Sequence, residues 1–294
     1  INVAVLTVGS GASGVLTIGN STTARNITVA GNLSVSGGAN FNVGAFNAVH
    51  TLTVGGIISN SVTFNLVNTA VTRVCNTTMN GSGFPQIIGT STPTFNDLTI
   101  SAGAAGADIT RSITVSGNFL VNNNTPVTTA QSSTINGSFT VSTGSTFTAS
   151  AGTLTFNNAA TQTIDVNNAT FSAMTFAGAG TKSIVGSITA NGLLTVGAGV
   201  TANDAGAVQT LRGGLTVTNT GVLNFSGIVN FNGTLTTGYD YSLGNTTNMG
   251  TAAWTFTANV GTALTGVPAG QFTFSGDVTI AAGTTTLNNN TGIV

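Results

Sequence analysis

The stretch that decides the fold is Ile27-Thr28-Val29-Ala30-Gly31-Asn32-Leu33-Ser34-Val35. Apolar residues stand at its first, third, seventh and ninth positions. Alternation with period two marks a β-strand with one apolar and one polar face. The central Gly lets the backbone turn a corner where a Cβ would clash, and the alternation then resumes with the same face inward. Two short strands joined at a bend therefore line two sides of one core. The unit recurs at Ile113-Thr-Val-Ser-Gly117-Asn-Phe-Leu-Val121, at Leu223-Asn-Phe-Ser-Gly227-Ile-Val-Asn-Phe231 and at Phe272-Thr-Phe-Ser-Gly276-Asp-Val-Thr-Ile280.

A smaller unit, apolar–Thr–apolar, runs along the whole chain. It reads Leu6-Thr7-Val8, Leu16-Thr17-Ile18, Leu52-Thr53-Val54, Leu98-Thr99-Ile100, Phe139-Thr140-Val141, Leu154-Thr155-Phe156, Leu194-Thr195-Val196 and Trp254-Thr255-Phe256. The branched Cβ of Thr suits the outward face of a pleated strand. Corner glycines repeat at a longer spacing: Gly117 and Gly137, then Gly192 and Gly214. A period of about 20–22 residues built from such short strands predicts a solenoid. One coil buries too little to fold alone, whereas stacked coils share a continuous core. Asn136-Gly137 and Asn191-Gly192 fall at corners of the inward-facing pattern, so they read as bends between faces rather than hairpin turns. The expected fold class is all-β, a parallel β-helix spanning 1–294 as a single domain.

Composition closes off other classes. Of 294 residues, 56 are Thr, 40 Gly and 34 Asn; charged residues are 4%, with six Asp and no Glu. Helix-forming Glu, Lys, Gln and Arg are too scarce for helical bundles. No basic patch exists to displace counterions from nucleic acid, so none is expected as a partner. Apolar residues make up 40% against a net charge of −1, which is unlike a disordered chain. No apolar run is long enough for a membrane-spanning helix. The opening at Ile1, without Met or a signal peptide, reads as a processed product or a fragment.

Two stretches interrupt the rhythm. Residues 66–97 hold Arg73, Cys75, Met79, Pro85 and Pro93, and residues 237–253 hold Tyr239, Asp240, Tyr241 and Met249. Both are expected as irregular or protruding segments, where a regular scaffold carries recognition. Tyr239, Tyr241 and the nearby Trp254 are the candidate recognition residues.

The tracts Gly31-Asn-Leu-Ser-Val, Thr94-Phe-Asn-Asp-Leu-Thr-Ile and Gly192-Leu-Leu-Thr-Val resemble the Thr/Gly/Asn-rich repeats of large bacterial surface β-solenoids. Such repeats occur in adhesins, autotransporter-like passengers and extracellular fibres. The resemblance covers nearly the whole chain and implies a right-handed parallel β-helix with a role at the cell surface. It supplies no catalytic or ligand motif.

Chemistry-bearing motifs are correspondingly thin. Gly9-Ser-Gly11-Ala-Ser-Gly14 matches a dinucleotide fingerprint, but a strand rather than a helix follows it. Gly178-Ala-Gly180-Thr-Lys182-Ser183 has the wrong spacing for a phosphate-binding loop. His50 is the sole histidine and is expected at the start of a strand over 51–54; metal ligation would need partners the chain lacks. The aspartates lie too far apart in sequence for a calcium loop. No metal, cofactor or catalytic residue is assigned, and the chain is not expected to be an enzyme. Cys75, the only cysteine, reads as a small buried apolar residue, with a covalent link to a neighbour as the alternative. The Thr-x-Thr pairs are too irregularly spaced along the sequence for an ice-binding array and read as structural ladders.

The strand pattern starts at once, with Val3, Val5, Leu6 and Val8, and runs near the far end through Phe272, Phe274, Val278, Ile280 and Leu287. No charged or helical cap is visible at either end. Either the chain is a segment of a much longer one, or its ends pair with neighbouring copies; on the second reading these residues are the expected assembly surfaces of an extracellular filament built head to tail from copies of the chain, a non-closing contact. A stalk that holds glycans or surfaces through protruding loops is the alternative, and a polysaccharide-active enzyme comes third.

Overall fold

In a computed structural model the chain is all-β, a parallel β-solenoid whose coils stack into three sheets. The structure describes residues 1–224 apart from 10, 12, 20, 69–72, 168, 214 and 218–220. Beyond these it describes the backbone of the strands Val229–Phe231, Tyr241–Leu243, Thr246–Met249, Trp254–Ala258, Phe272–Phe274, Asp277–Ile280 and Thr286–Asn289. The chain divides into two compact units, residues 1–152 and 153–294, which share one coil plan.

In the first unit each coil contributes one strand to each sheet. The second coil supplies Asn26–Val29 to the first sheet, Leu33–Val35 to the second and Asn40–Val43 to the third. Each strand pairs in parallel with its counterpart one coil on: Ile27 with Leu52, Leu33 with Ile58, Phe41 with Phe64. In Ile27–Val35 the four apolar positions are all buried, as the alternation predicts. In Ile113–Val121 they are buried too, but that unit turns the corner from the third sheet to the first. One motif thus serves two different corners.

Coil length is less uniform than the expected 20–22 residues. Phe119 pairs with Phe139 and Leu98 with Phe119, within that range. Asn26 pairs with Thr51, and Thr51 with Asn76, so the early coils are 25 residues long. Much of the surplus lies in the strand Ala48–Val54, which registers over seven residues with Arg73–Met79.

Residues 66–97, expected to be irregular, contain the strands Arg73–Met79, Gln86–Gly89 and Thr94–Phe95 in step with the coil. The alternation in Arg73–Met79 is masked because Thr77 is buried beside Val74, Cys75 and Met79. The chain departs from the plan where Val67 bridges Val74 antiparallel and at the corner 80–85.

Phenylalanines form ladders inside the core. Phe64 stands between Phe41 and Phe95, with centroid distances of 5.2 and 5.3 Å. Phe139 lies 5.3 Å from Phe119 and 5.0 Å from Phe147. In the second unit Phe156 contacts Phe171 and Phe176. On the outer faces Thr28, Thr53, Thr78 and Thr99 register in one column. Thr155, Thr175 and Thr195 register in another, in the second unit.

Corners are closed by side chains that accept from the backbone of an adjacent coil. Asp97 Oδ1 accepts the Asn118 N–H at 2.7 Å, and Asn118 Oδ1 accepts the Ser138 N–H at 2.9 Å. Buried hydroxyls do the same from inside: Thr125 Oγ1 accepts from Gly103 N–H and Ser145 Oγ from Thr125 N–H. These bonds satisfy amides that a bend takes out of the ladder. Gly137 donates its N–H to Gly117 O at 2.9 Å, and a Cβ on Gly137 would meet that oxygen at 2.2 Å. Close stacking of coils thus requires glycine there, although its φ is not positive. In the second unit the partner of Gly192 is Gly213 rather than the expected Gly214.

Removing the middle rung of a phenylalanine ladder tests this packing. Phe64→Ala should destabilise the fold by about 3–5 kcal/mol, the usual cost of a large core truncation. Phe46→Ala, at an exposed corner, should cost under about 0.5 kcal/mol. Urea denaturation of both variants checks the contrast.

Candidate functional site

Two kinds of surface stand out: the outer edge of the first coil and one enlarged corner. The first-coil strands Asn2–Val3, Leu6–Val8 and Val15–Ile18 lie at the ends of their sheets and pair on one side only. Of the expected assembly residues here, Val5 is exposed, Val3 and Leu6 are half-buried, and Val8 belongs to the core. Ile1 and Val15 add exposed apolar area. The terminal ammonium is tied to Asn26 O at 2.8 Å, and no charged side chain precedes Arg25.

Phe272, Phe274, Val278, Ile280 and Leu287 all fall within strands of the second unit, with Phe272–Phe274 in the third sheet, Asp277–Ile280 in the first and Thr286–Asn289 in the second. Their side chains lie outside the described residues. Tyr239 lies outside them altogether. Tyr241 and Trp254 begin the strands Tyr241–Leu243 and Trp254–Ala258, again with only the backbone described.

The enlarged corner joins the first sheet to the second. In early coils it is short, residues 30–32 and 55–57; it then lengthens to 80–85 and 101–106. Four described non-glycine residues have positive φ, and three of them, Phe84, Asn123 and Asn124, are at this corner. Phe84 is 44% exposed. Nothing in the residue pattern points to Phe84, since Gly83-Phe84-Pro85 has no strand period.

Three titratable side chains, His50, Cys75 and Lys182, are buried. His50 is fully buried, because its strand, Ala48–Val54, starts earlier than the expected 51–54 and turns the ring inward. Its Nδ1 accepts the Arg25 N–H at 3.0 Å. Nε2, the proton-bearing nitrogen in that tautomer, lies against Gly19. Burial, and then the nearby Arg25 charge, lower its pKa. Cys75 registers beside His50 and is buried as a free thiol, its pKa pushed up to about 12 by burial. That placement answers the alternative of a covalent link: the thiol is closed off and protonated. Lys182 points into the second unit's core, where its Nζ donates to Asn158 O at 2.5 Å and Ala179 O at 3.1 Å. Burial lowers its pKa to about 8.

Among the described residues no three His, Cys, Asp or Glu side chains come together to hold a metal ion. No helix among them is long and apolar enough to cross a membrane. Comparison with protein-family models, with curated proteins and with solved structures finds no match for this chain.

The buried thiol should resist a disulfide reagent in the native protein at pH 8 and react with one equivalent after denaturation. Fast native labelling would contradict its burial. Lys182 sets a pH trend with a definite sign. Its folded pKa of about 8 lies below the ordinary 10.5, so the unfolded chain binds more protons between those values. Stability should therefore rise as pH increases from about 8 to 10.5. Lys182→Met should flatten that rise, read as melting temperature against pH.

Proposed function

We propose that this protein is an extracellular structural subunit: a β-solenoid that builds a surface filament by stacking copies head to tail, and not an enzyme. The observation that carries the reading is the first coil's outer edge. It offers strand edges in all three sheets, with Ile1, Val5 and Val15 exposed and no charged side chain among its strands. Strand edges of this sort are templates for another strand, and proteins that remain separate usually blunt them with charge, proline or a covering element. The far surface in this proposal is made by the strands holding Phe272, Phe274, Val278, Ile280 and Leu287. Contact between two different surfaces of identical copies propagates instead of closing.

A second reading is favoured by the enlarged corner: the solenoid is the stalk of an adhesin, and recognition of glycans or surfaces sits on segments that leave the coil. Clustered left-handed backbone at an exposed aromatic residue is the sort of local strain that regular scaffolds keep for binding.

Electron microscopy of the purified chain should show filaments with an axial period set by one subunit, forming more readily at higher concentration. Val5→Lys combined with Val15→Lys places charge at the exposed edge and should raise the concentration needed for filaments at least about tenfold, equivalent to about 1.4 kcal/mol per contact. Isolated particles at every concentration would defeat the filament reading.

A further inference from the structure

We propose that the corner around Gly106 binds a neutral carbohydrate, with Phe84 and Pro126 as the platform for a sugar ring and the Asn123 amide as its hydrogen-bonding partner. The proposal rests on the adhesin reading and narrows it to one place and one ligand class. Three coils build the corner, through residues 80–85, 101–106 and 122–126.

Its floor is apolar. A Cβ on Gly106 would sit 3.6 Å from Phe84 Cε2 and 3.1 Å from Pro126 Cγ, so both rings flank this glycine. Phe84, Ala104, Ala105 and Pro126 are all exposed. Gly106 has φ +79°, and a Cβ would also meet Pro126 O at 2.9 Å. Any larger residue would fill the notch between the rings.

Phe84 is held where it is against its own preference. A residue before proline favours extended backbone, and an aromatic residue with φ of 59° is a steric outlier. Strain of this kind costs on the order of 1–3 kcal/mol. Here it leaves nearly half of a large ring in water, beside the exposed Ala104, Ala105 and Pro126.

The polar side is one coil away. Asn123 is exposed, with φ 59°. Its Nδ2 makes a long 3.5 Å contact to Ser101 O. The amide therefore offers both a donor and an acceptor to a ligand. Asn124 is committed elsewhere, packed against Gly144.

Three observations select a neutral sugar. First, none of the residues 80–85, 101–106 or 122–126 is charged, so nothing here favours a phosphate, sulfate or uronate. Second, the corner holds no registered strand edge, and the N–H groups of Gly103, Gly106 and Thr125 are already bonded, to Thr125 Oγ1, Gly103 O and Ser145 Oγ. An extended peptide would find no strand edge to join. Third, one phenylalanine and one proline offer far less than the ~800 Å² per partner that a stable protein interface buries. A sugar ring suits what remains, because its C–H face stacks on an aromatic ring while its rim of hydroxyls needs a donor–acceptor pair.

The test titrates the full chain with neutral oligosaccharides of glucose, N-acetylglucosamine, galactose and mannose, followed by saturation-transfer NMR up to ~10 mM, since one platform and one amide support about millimolar affinity. At least one of them should bind. Phe84→Ala and Asn123→Gly should each weaken it about tenfold or more, while Phe84→Tyr keeps it. Asn123→Gly tolerates the positive φ and so isolates the amide from folding. No binding of any of these sugars by the wild-type chain overturns the proposal, and unchanged binding in both loss variants does so as well. In the latter case, retained attachment of protein-coated beads to a glycan-bearing surface would leave the adhesin reading standing while this corner falls.

Discussion

The constraint on which everything else depends is the parallel, in-register hydrogen bonding of each coil to the next. A parallel ladder sets neighbouring strands about 4.8 Å apart and places each side chain directly over its counterpart. Every position is thereby judged against itself one coil away. Phe41, Phe64 and Phe95 can share a column because tilted and edge-to-face rings pack well at the distances seen here. Glycine stacks on glycine at Gly117 and Gly137, because the corner brings a carbonyl oxygen to where a Cβ would be. A change at one residue is felt by the two coils that touch it, so packing errors propagate along the axis rather than across a globular core.

The strand positions were legible in the sequence because their rule is local. In Ile27–Val35 and Ile113–Val121 the apolar period alone identifies every buried position. Coil length was less legible. The 25-residue spacing from Asn26 to Thr51 exceeds the 20-residue spacing of Phe119 to Phe139 chiefly through longer strands, above all Ala48–Val54, whose first residues Ala48-Val49-His50 do not read as a strand. Arg73–Met79 was hidden for another reason: its inward positions include a cysteine and a threonine, which score poorly as core. His50 and Lys182 were equally opaque. Both are polar residues on inward positions, tolerated because backbone groups of the corners bond them. Only tertiary geometry supplies those partners.

The candidate corner was invisible for the same reason that corners vary. Registered strands leave no room for insertion, since a single-residue slip would turn every side chain to the opposite face. Corners carry no such penalty and can lengthen, as 80–85 and 101–106 do. Residues there are free of the self-matching rule. An aromatic ring can be exposed at Phe84, where a strand position would have stacked it. Variation, and with it recognition, is channelled to the corners by the strictness of the faces.

The same self-matching accounts for the composition. Like charges repeated at about 4.8 Å would repel by roughly 0.9 kcal/mol per rung even in bulk water, so a charged column opposes its own stacking. Hydroxyl and amide groups both donate and accept, so identical neighbours can bond, as the Asn96 Nδ2 to Asn76 Oδ1 contact at 2.8 Å shows for stacked asparagines. Thr adds a branched Cβ that suits the strand, and Asn suits the bend. A chain with 56 Thr, 34 Asn and no Glu is what a long self-stacking surface demands. The few charges are kept apart rather than stacked: Arg25, Asp97, Arg111 and Arg212 stand at corners, and the strand charges Arg73, Asp108, Lys182 and Asp204 register against uncharged residues. A surface so poor in charge has little means of attracting a partner over distance. Whatever it holds must be held by shape, apolar contact and neutral hydrogen bonds, and those are the features that the Phe84 corner and the first-coil edge present.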